Sequence, residues 1–136
     1  MSPWMPAAIG DHRDTIDTPA LILDLDAFEE NLRLMKAATE GRGVRLRPHA
    51  KSHKCPKIAL KQIAAGAVGI CCQKVSEAAA FVEAGVTDVL ITNQVVGAKK
   101  LARLMDLAEN ANIGILVDDL SQVDDLHNAA AAREVS

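Results

Sequence analysis

The 136-residue sequence is nearly devoid of aromatic rings, with two Phe, one Trp and no Tyr. Its interior must therefore be aliphatic, drawn from the Leu, Ile, Val and Ala that dominate an apolar content of 49%. No apolar run reaches the length of a membrane-spanning helix. The opening MSPWMPAAIGDHRD has no basic start followed by a long apolar segment, which argues against a secretory signal. Disulfide and zinc frameworks are also missing. Cys55, Cys71 and Cys72 are odd in number and lack metal-ligand spacing, so they read as reduced thiols of a cytoplasmic protein. A net charge of −3 gives no reason to expect a nucleic-acid partner. The length fits one ordinary domain with an adequate core.

What is present is a repeat. ALILDLD (20–26) is apolar and strand-like, and Asp26, with Glu29 three residues later, predicts a capped helix. Phe28, Leu32 and Met35 fall on one face of that helix, and GRG (41–43) stops it. VRLRPHA (44–50) reads as the next strand. Pro56 suits the first turn of a second helix, where its missing N–H costs nothing. VGICC (68–72), DVLIT (88–92) and IGILV (113–117) read as further strands. The helices between and after them start at Ser76, Ala98 and Ser121. Strand starts thus recur every 20 to 25 residues with a helix in each crossover, as parallel pairing requires. The later strands are apolar throughout, as expected when both sheet faces are covered.

The predicted class is α/β, a parallel (β/α) TIM-barrel-type array of about five βα units with right-handed crossovers. A complete barrel takes roughly 200 residues or more. The array is therefore either an open doubly wound sheet or the first part of a barrel. The end at AAAAREVS, where another strand is due, favours a truncated barrel. Residues 17–136 form the barrel portion behind a short extension, 1–16. Expressed alone, such a piece is expected to aggregate or fold only partly, because it leaves a sheet edge open.

One stretch carries the chemistry. RLRPHAKSHKCPKIA (45–59) holds Arg45, Arg47, His49, Lys51, His53, Lys54 and Lys57 within thirteen residues and no acid. Read with period two, Arg45, Arg47, His49 and Lys51 share one face, and Leu46, Pro48 and Ala50 the other. If the apolar set packs on helices, the cations face the ligand side, which is unfavourable unless an anion binds there. Lys51 then stands at the carboxyl end of its strand, where ligands bind in both architectures. Neighbouring positive charges depress a lysine's pKa, and a neutral amine is what a Schiff base with an aldehyde requires. Pyridoxal 5′-phosphate supplies both aldehyde and anion. The alternative is a solvated basic patch that holds nothing in particular.

Pro48-His49-Ala50-Lys51-Ser52 resembles the Pro-His-x-Lys-[Ser/Thr] motif of fold-type III pyridoxal-phosphate enzymes, the alanine-racemase-like group. Within that group the chain looks most like the branch of D-threonine aldolases, D-3-hydroxyaspartate aldolases and D-serine dehydratases. TPALILDLDAFEENL and CCQKVSEAAAFVEAGVTDVLITNQVVG extend the likeness to nearly the whole chain from Asp17 onward, and the latter favours the aldolases. The resemblance implies that Lys51 binds the cofactor covalently in a metal-dependent lyase. That lyase would cleave D-3-hydroxy amino acids to glycine and an aldehyde. It also implies a homodimer and a divalent metal (Mn, Mg or Zn), with the metal ligands and phosphate-binding segments beyond Ser136. Dehydration of D-serine or 3-hydroxyaspartate, and a non-catalytic barrel that only binds the cofactor, are the alternatives.

The remaining candidates each carry two readings. His49 shares the Lys51 face and is a candidate catalytic group. His53 follows in the loop and either faces the site or caps the next helix. Arg47 is a candidate for the cofactor or, alternatively, an ion-pair partner of Asp24 or Asp118. Gln73 and Asn93 stand just after apolar strands, where barrel enzymes place functional side chains; capping the next helix is their other reading. Lys74 and Thr92 are weaker candidates, and Cys71 and Cys72 read as wall packing.

Overall fold

The computed structural model describes residues 5–134. The chain falls into two compact units, residues 1–31 and 32–136. The first holds a 3-10 turn, Arg13–Thr15, and the start of α1 (Leu25–Thr39). Asp24 rather than Asp26 caps α1, its Oδ1 accepting from the Ala27 N–H at 2.9 Å. Residues 20–24, expected as a strand, form none. An apolar, β-prone stretch becomes a strand only where an edge supplies hydrogen-bond partners.

The second unit alternates helix and strand: α2 (Pro56–Ala64), β1 (Ile70–Cys72), α3 (Val75–Glu83), β2 (Asp88–Ile91), α4 (Ala98–Ala108), β3 (Asn112–Ile115) and α5 (Leu120–Ala131). The three strands form one parallel sheet in the order β1-β2-β3. Pro56 opens α2, as its residue type predicts. Gly41, in the GRG that follows α1, takes φ +71, the left-handed region open to glycine. The expected caps at Ser76 and Ser121 move. Glu77 Oε2 accepts from the Gln73 N–H ahead of α3, and Asp119 caps α5 through the Ser121 N–H.

The expected strand 44–50 is present only in part. Val68 N–H donates to Leu46 O and Cys71 N–H to Pro48 O, and His49 forms a single parallel bridge with Cys71. Pro48 has no N–H to return, which keeps the segment from extending its ladder. Beyond it Ala50–Ser52 turns into a 3-10 helix.

Ile70, Cys72, Val89 and Ile91 are fully buried and pack into one cluster with Ala59 of α2, Ala78 and Phe81 of α3, and Leu104 and Met105 of α4. The uniform burial expected of the later strands holds for β1 alone. In β2, Val89 and Ile91 are buried while Asp88 and Leu90 are only partly so. The helix-covered face is therefore the core, and the other face carries the polar residues.

Candidate active site

Parallel register arranges the polar face in rows. His49 pairs with Cys71, Cys71 with Leu90, and Leu90 with Gly114. One step toward the amino ends, Arg47 falls beside Gly69 and Asp88. Toward the carboxyl ends the ladder stops on this segment: past the His49 bridge the chain turns into the 3-10 helix Ala50–Ser52, which carries Lys51.

The first of these rows is closed. Arg47 Nη1 lies 2.7 Å from Asp88 Oδ1, with both side chains largely covered. A Cβ on Gly69 would meet the Asp88 carbonyl oxygen and sit 2.5 Å from Arg47 Nη1, so the ion pair spans the space that glycine leaves. The Arg47 hydrogen bond, opposed by burial and helped by its charge, holds the Asp88 carboxyl below the ordinary carboxylate range. The hydrogen bond to Asp88 likewise raises the Arg47 guanidinium. The expected partners were Asp24 or Asp118. Asp24 instead caps α1, and Asp118 accepts from Gln122 Nε2 at 2.8 Å. Arg47 thus sits at the amino end of β2, and the structure does not bring it to Lys51.

The carboxyl-end row is open. Lys51 is exposed and lies on the 3-10 turn. That turn is fixed by Lys54 N–H to Ala50 O (2.8 Å) and by Ser52 Oγ–H to His49 O (3.1 Å). Ala50 is wholly buried beneath it. Lys54 takes a left-handed φ of +48 to complete the turn. Its ammonium pairs with Glu77 Oε1 at 3.3 Å, and Glu77 Oε2 holds the Gln73 N–H. Burial pushes the Glu77 carboxyl up, but the Gln73 and Lys54 hydrogen bonds and the nearby lysine charges bring it net below its usual value. A partly buried carboxylate thereby clasps the lysine turn to the start of α3.

His49 stands behind Lys51. Its Nε2 lies 2.9 Å from Thr92 Oγ1, and its Nδ1 accepts from the Lys51 backbone N–H at 3.3 Å. Burial and the Lys51 charge lower its pKa against a smaller opposing pull from Glu77, which favours the neutral ring.

His53 faces elsewhere. Its ring meets Phe81 edge-on with centroids 6.4 Å apart, and its Nδ1 accepts from the Cys55 N–H at 3.0 Å. Its Nε2 is buried, as is Gln62 Oε1, and the Gln62 side chain acts on the ring against the effect of burial. Burial lowers the His53 pKa. His53 thus bonds the residue ahead of α2, which takes no side-chain cap, and its ring is turned toward Phe81.

Gln73 and Asn93 come together, lining a recess of about 410 Å³ with Lys74, Lys100 and Arg103. Lys51 and His49 do not line it. Cys71 and Cys72 are buried, and burial pushes the Cys72 thiol up to about 11. The sequence gives Thr92 little weight and Glu77 none. Glu77 is nonetheless legible in hindsight, as an acid that reaches back to a backbone N–H before its helix.

Three comparisons bear on this arrangement. The alanine racemase N-terminal domain family matches residues 23–136. D-threonine aldolase of Arthrobacter sp. is 58% identical over 121 residues, 87% of this chain and 32% of the relative. 3-Hydroxy-D-aspartate aldolase of Paracoccus denitrificans is 44% identical over 128 residues, 93% of this chain and 33% of the relative. The crystal structure of D-threonine aldolase from Filomicrobium marinum superposes with a TM-score of 0.93 at 56% identity, covering 96% of this chain and 36% of that one. The chain spans about a third of the length of the curated relatives it matches. With its parallel βα array and its lysine turn, the chain belongs to the alanine racemase N-terminal domain family.

Proposed function

We propose that this chain supplies the lysine-bearing part of a pyridoxal-phosphate-dependent lyase that cleaves D-3-hydroxy amino acids to glycine and an aldehyde. The observation that carries the reading is Lys51, an exposed amine on a fixed turn at the carboxyl ends of parallel strands, backed by His49. The donor set fits the cofactor, because a primary amine is the group that condenses with its aldehyde. When bound, pyridoxal phosphate supplies the electron sink for breaking a bond at the substrate Cα.

The chain's own residues bind and orient. Lys51 Nζ is the group that would hold the cofactor through its aldehyde carbon. The buried Ala50 and the Lys54–Glu77 pair fix the turn that carries it. His49 fixes the Lys51 backbone and stays neutral. Identity to the two aldolases supports retro-aldol cleavage over dehydration.

Among the described residues no group of three or more His, Cys, Asp and Glu side chains could hold a metal ion. The ligands of the divalent metal implied by the resemblance are not among them. No described helix is long and apolar enough to cross a membrane. Three free thiols support a reducing compartment, the cytoplasm.

The test is product analysis of the encoded protein, loaded with cofactor, on D- and L-threonine. Glycine and acetaldehyde from the D isomer alone, lost in Lys51→Ala, are expected. Ammonia and a 2-oxo acid would identify a dehydratase instead, and no product from either isomer would reject the lyase reading.

A further inference from the structure

The hydrogen bonds around His49 leave one consistent assignment of its protons. The Lys51 backbone N–H can only donate, so His49 Nδ1 must be a lone pair. In the neutral ring the proton is then on Nε2. Nε2–H donates to Thr92 Oγ1 at 2.9 Å, which leaves the Thr92 hydroxyl proton for the Cys72 carbonyl at 3.1 Å. The Thr92 N–H also donates to that carbonyl, at 2.8 Å, so the threonine is anchored to β1 by two hydrogen bonds to one oxygen. The chain of donors runs in one direction, from the Lys51 N–H through the imidazole and the hydroxyl to the end of β1.

We propose that Thr92 is a positioning residue that fixes His49 as the Nε2–H tautomer and, through it, holds the backbone of Lys51 in register with the strand ends. This rests on the reading of Lys51 as the cofactor-binding lysine. The Thr92 side chain meets the His49 ring and the Cys72 carbonyl. Its effect reaches Lys51 only through the ring between them. His49 has both nitrogens engaged and so acts as a strut; it has no free lone pair with which to take a proton. The charged groups that act on the ring, Lys51 and Glu77, pull its protonation in opposite directions. The Lys51 N–H claims Nδ1, and the Thr92 oxygen, its own proton committed to the Cys72 carbonyl, holds the single proton on Nε2.

The test uses the encoded protein freed of cofactor and labelled with 15N-histidine, together with Thr92→Val and Thr92→Ser. In the wild type and Thr92→Ser, the His49 signals should report a protonated Nε2 and a bare Nδ1. Thr92→Val should give a mixture of tautomers. Incorporation of pyridoxal 5′-phosphate, followed by absorbance, should be about tenfold slower in Thr92→Val, as for loss of one oriented hydrogen bond, and near wild type in Thr92→Ser. A wild-type ring protonated at Nδ1 overturns the proposal, as does a Thr92→Val protein with unchanged tautomer and incorporation rate. If Thr92→Val does not fold, the wild-type and Thr92→Ser spectra still decide. If the tautomer is as expected but the cofactor does not attach to Lys51, the strut stands and the assignment of Lys51 fails.

Discussion

The segment from Arg45 to Lys51 meets the sheet at two levels, and the two are built differently. At the amino end of β2, Arg47 finds Asp88 across the gap left by Gly69, and its charge is answered within the fold. At the carboxyl end Lys51 stands exposed, while the groups around it, His49, Thr92 and Glu77, make hydrogen bonds to backbone or to one another. The strand's charge density gives no hint of this division. A cation with a partly buried carboxylate on its own row is structural, whereas a cation whose neighbours are all engaged elsewhere is free to meet a ligand.

If that contrast is right, changes at the closed level should act on stability and changes at the open level on chemistry. The largest stability effect is expected from Gly69→Ala. The new Cβ meets a backbone carbonyl and the Arg47 guanidinium, so the ion pair must part, and a loss of about 3 kcal/mol should appear in denaturant unfolding. Arg47→Met leaves the partly buried Asp88 carboxylate without its main partner, with Asn112 and the Arg45 charge still acting on it, at a loss of about 1.5–3 kcal/mol. Asp88→Asn should lose a similar amount, and the double variant less than the sum, as a double-mutant cycle would measure.

Acid sharpens the comparison. Because Arg47 holds the Asp88 carboxyl below its unfolded value, the folded state binds fewer protons through that interval. The pair's stabilisation is complete above about pH 4 and disappears as pH falls through the folded value. The gap in melting temperature between wild type and Asp88→Asn should therefore close in acid; a gap independent of pH would contradict the pairing. Glu77→Ala, which frees Lys54 and the Gln73 N–H, should lose about 1 kcal/mol. It should also increase hydrogen exchange at residues 50–55. The smallest stability effect is expected from Lys51→Ala, within about 0.5 kcal/mol, because the side chain is exposed.

The repeat and the parallel sheet were legible because apolar runs and helix starts are local signals. Lys51 was legible because a motif of five adjacent residues carries it. Residues 20–24 were misread as a strand because an apolar stretch does not show whether an edge is there to pair with. The Arg47 partner was missed because it depends on register: only the pairings His49 with Cys71 and Ile70 with Val89 put Asp88 on its row. The orientation of His53 was decided by Phe81, 28 positions away, which no local pattern foretells. Period two failed at Lys51 itself, where the chain turns into a 3-10 helix after a proline that cannot extend the ladder.

The most direct measurement is borohydride reduction of the encoded protein after incubation with pyridoxal 5′-phosphate, followed by peptide mass mapping. A single pyridoxyl adduct on Lys51 is the predicted result. An adduct on Lys54, Lys57 or Lys74 in its place, or none at all, would contradict the assignment of the open end as the site of chemistry.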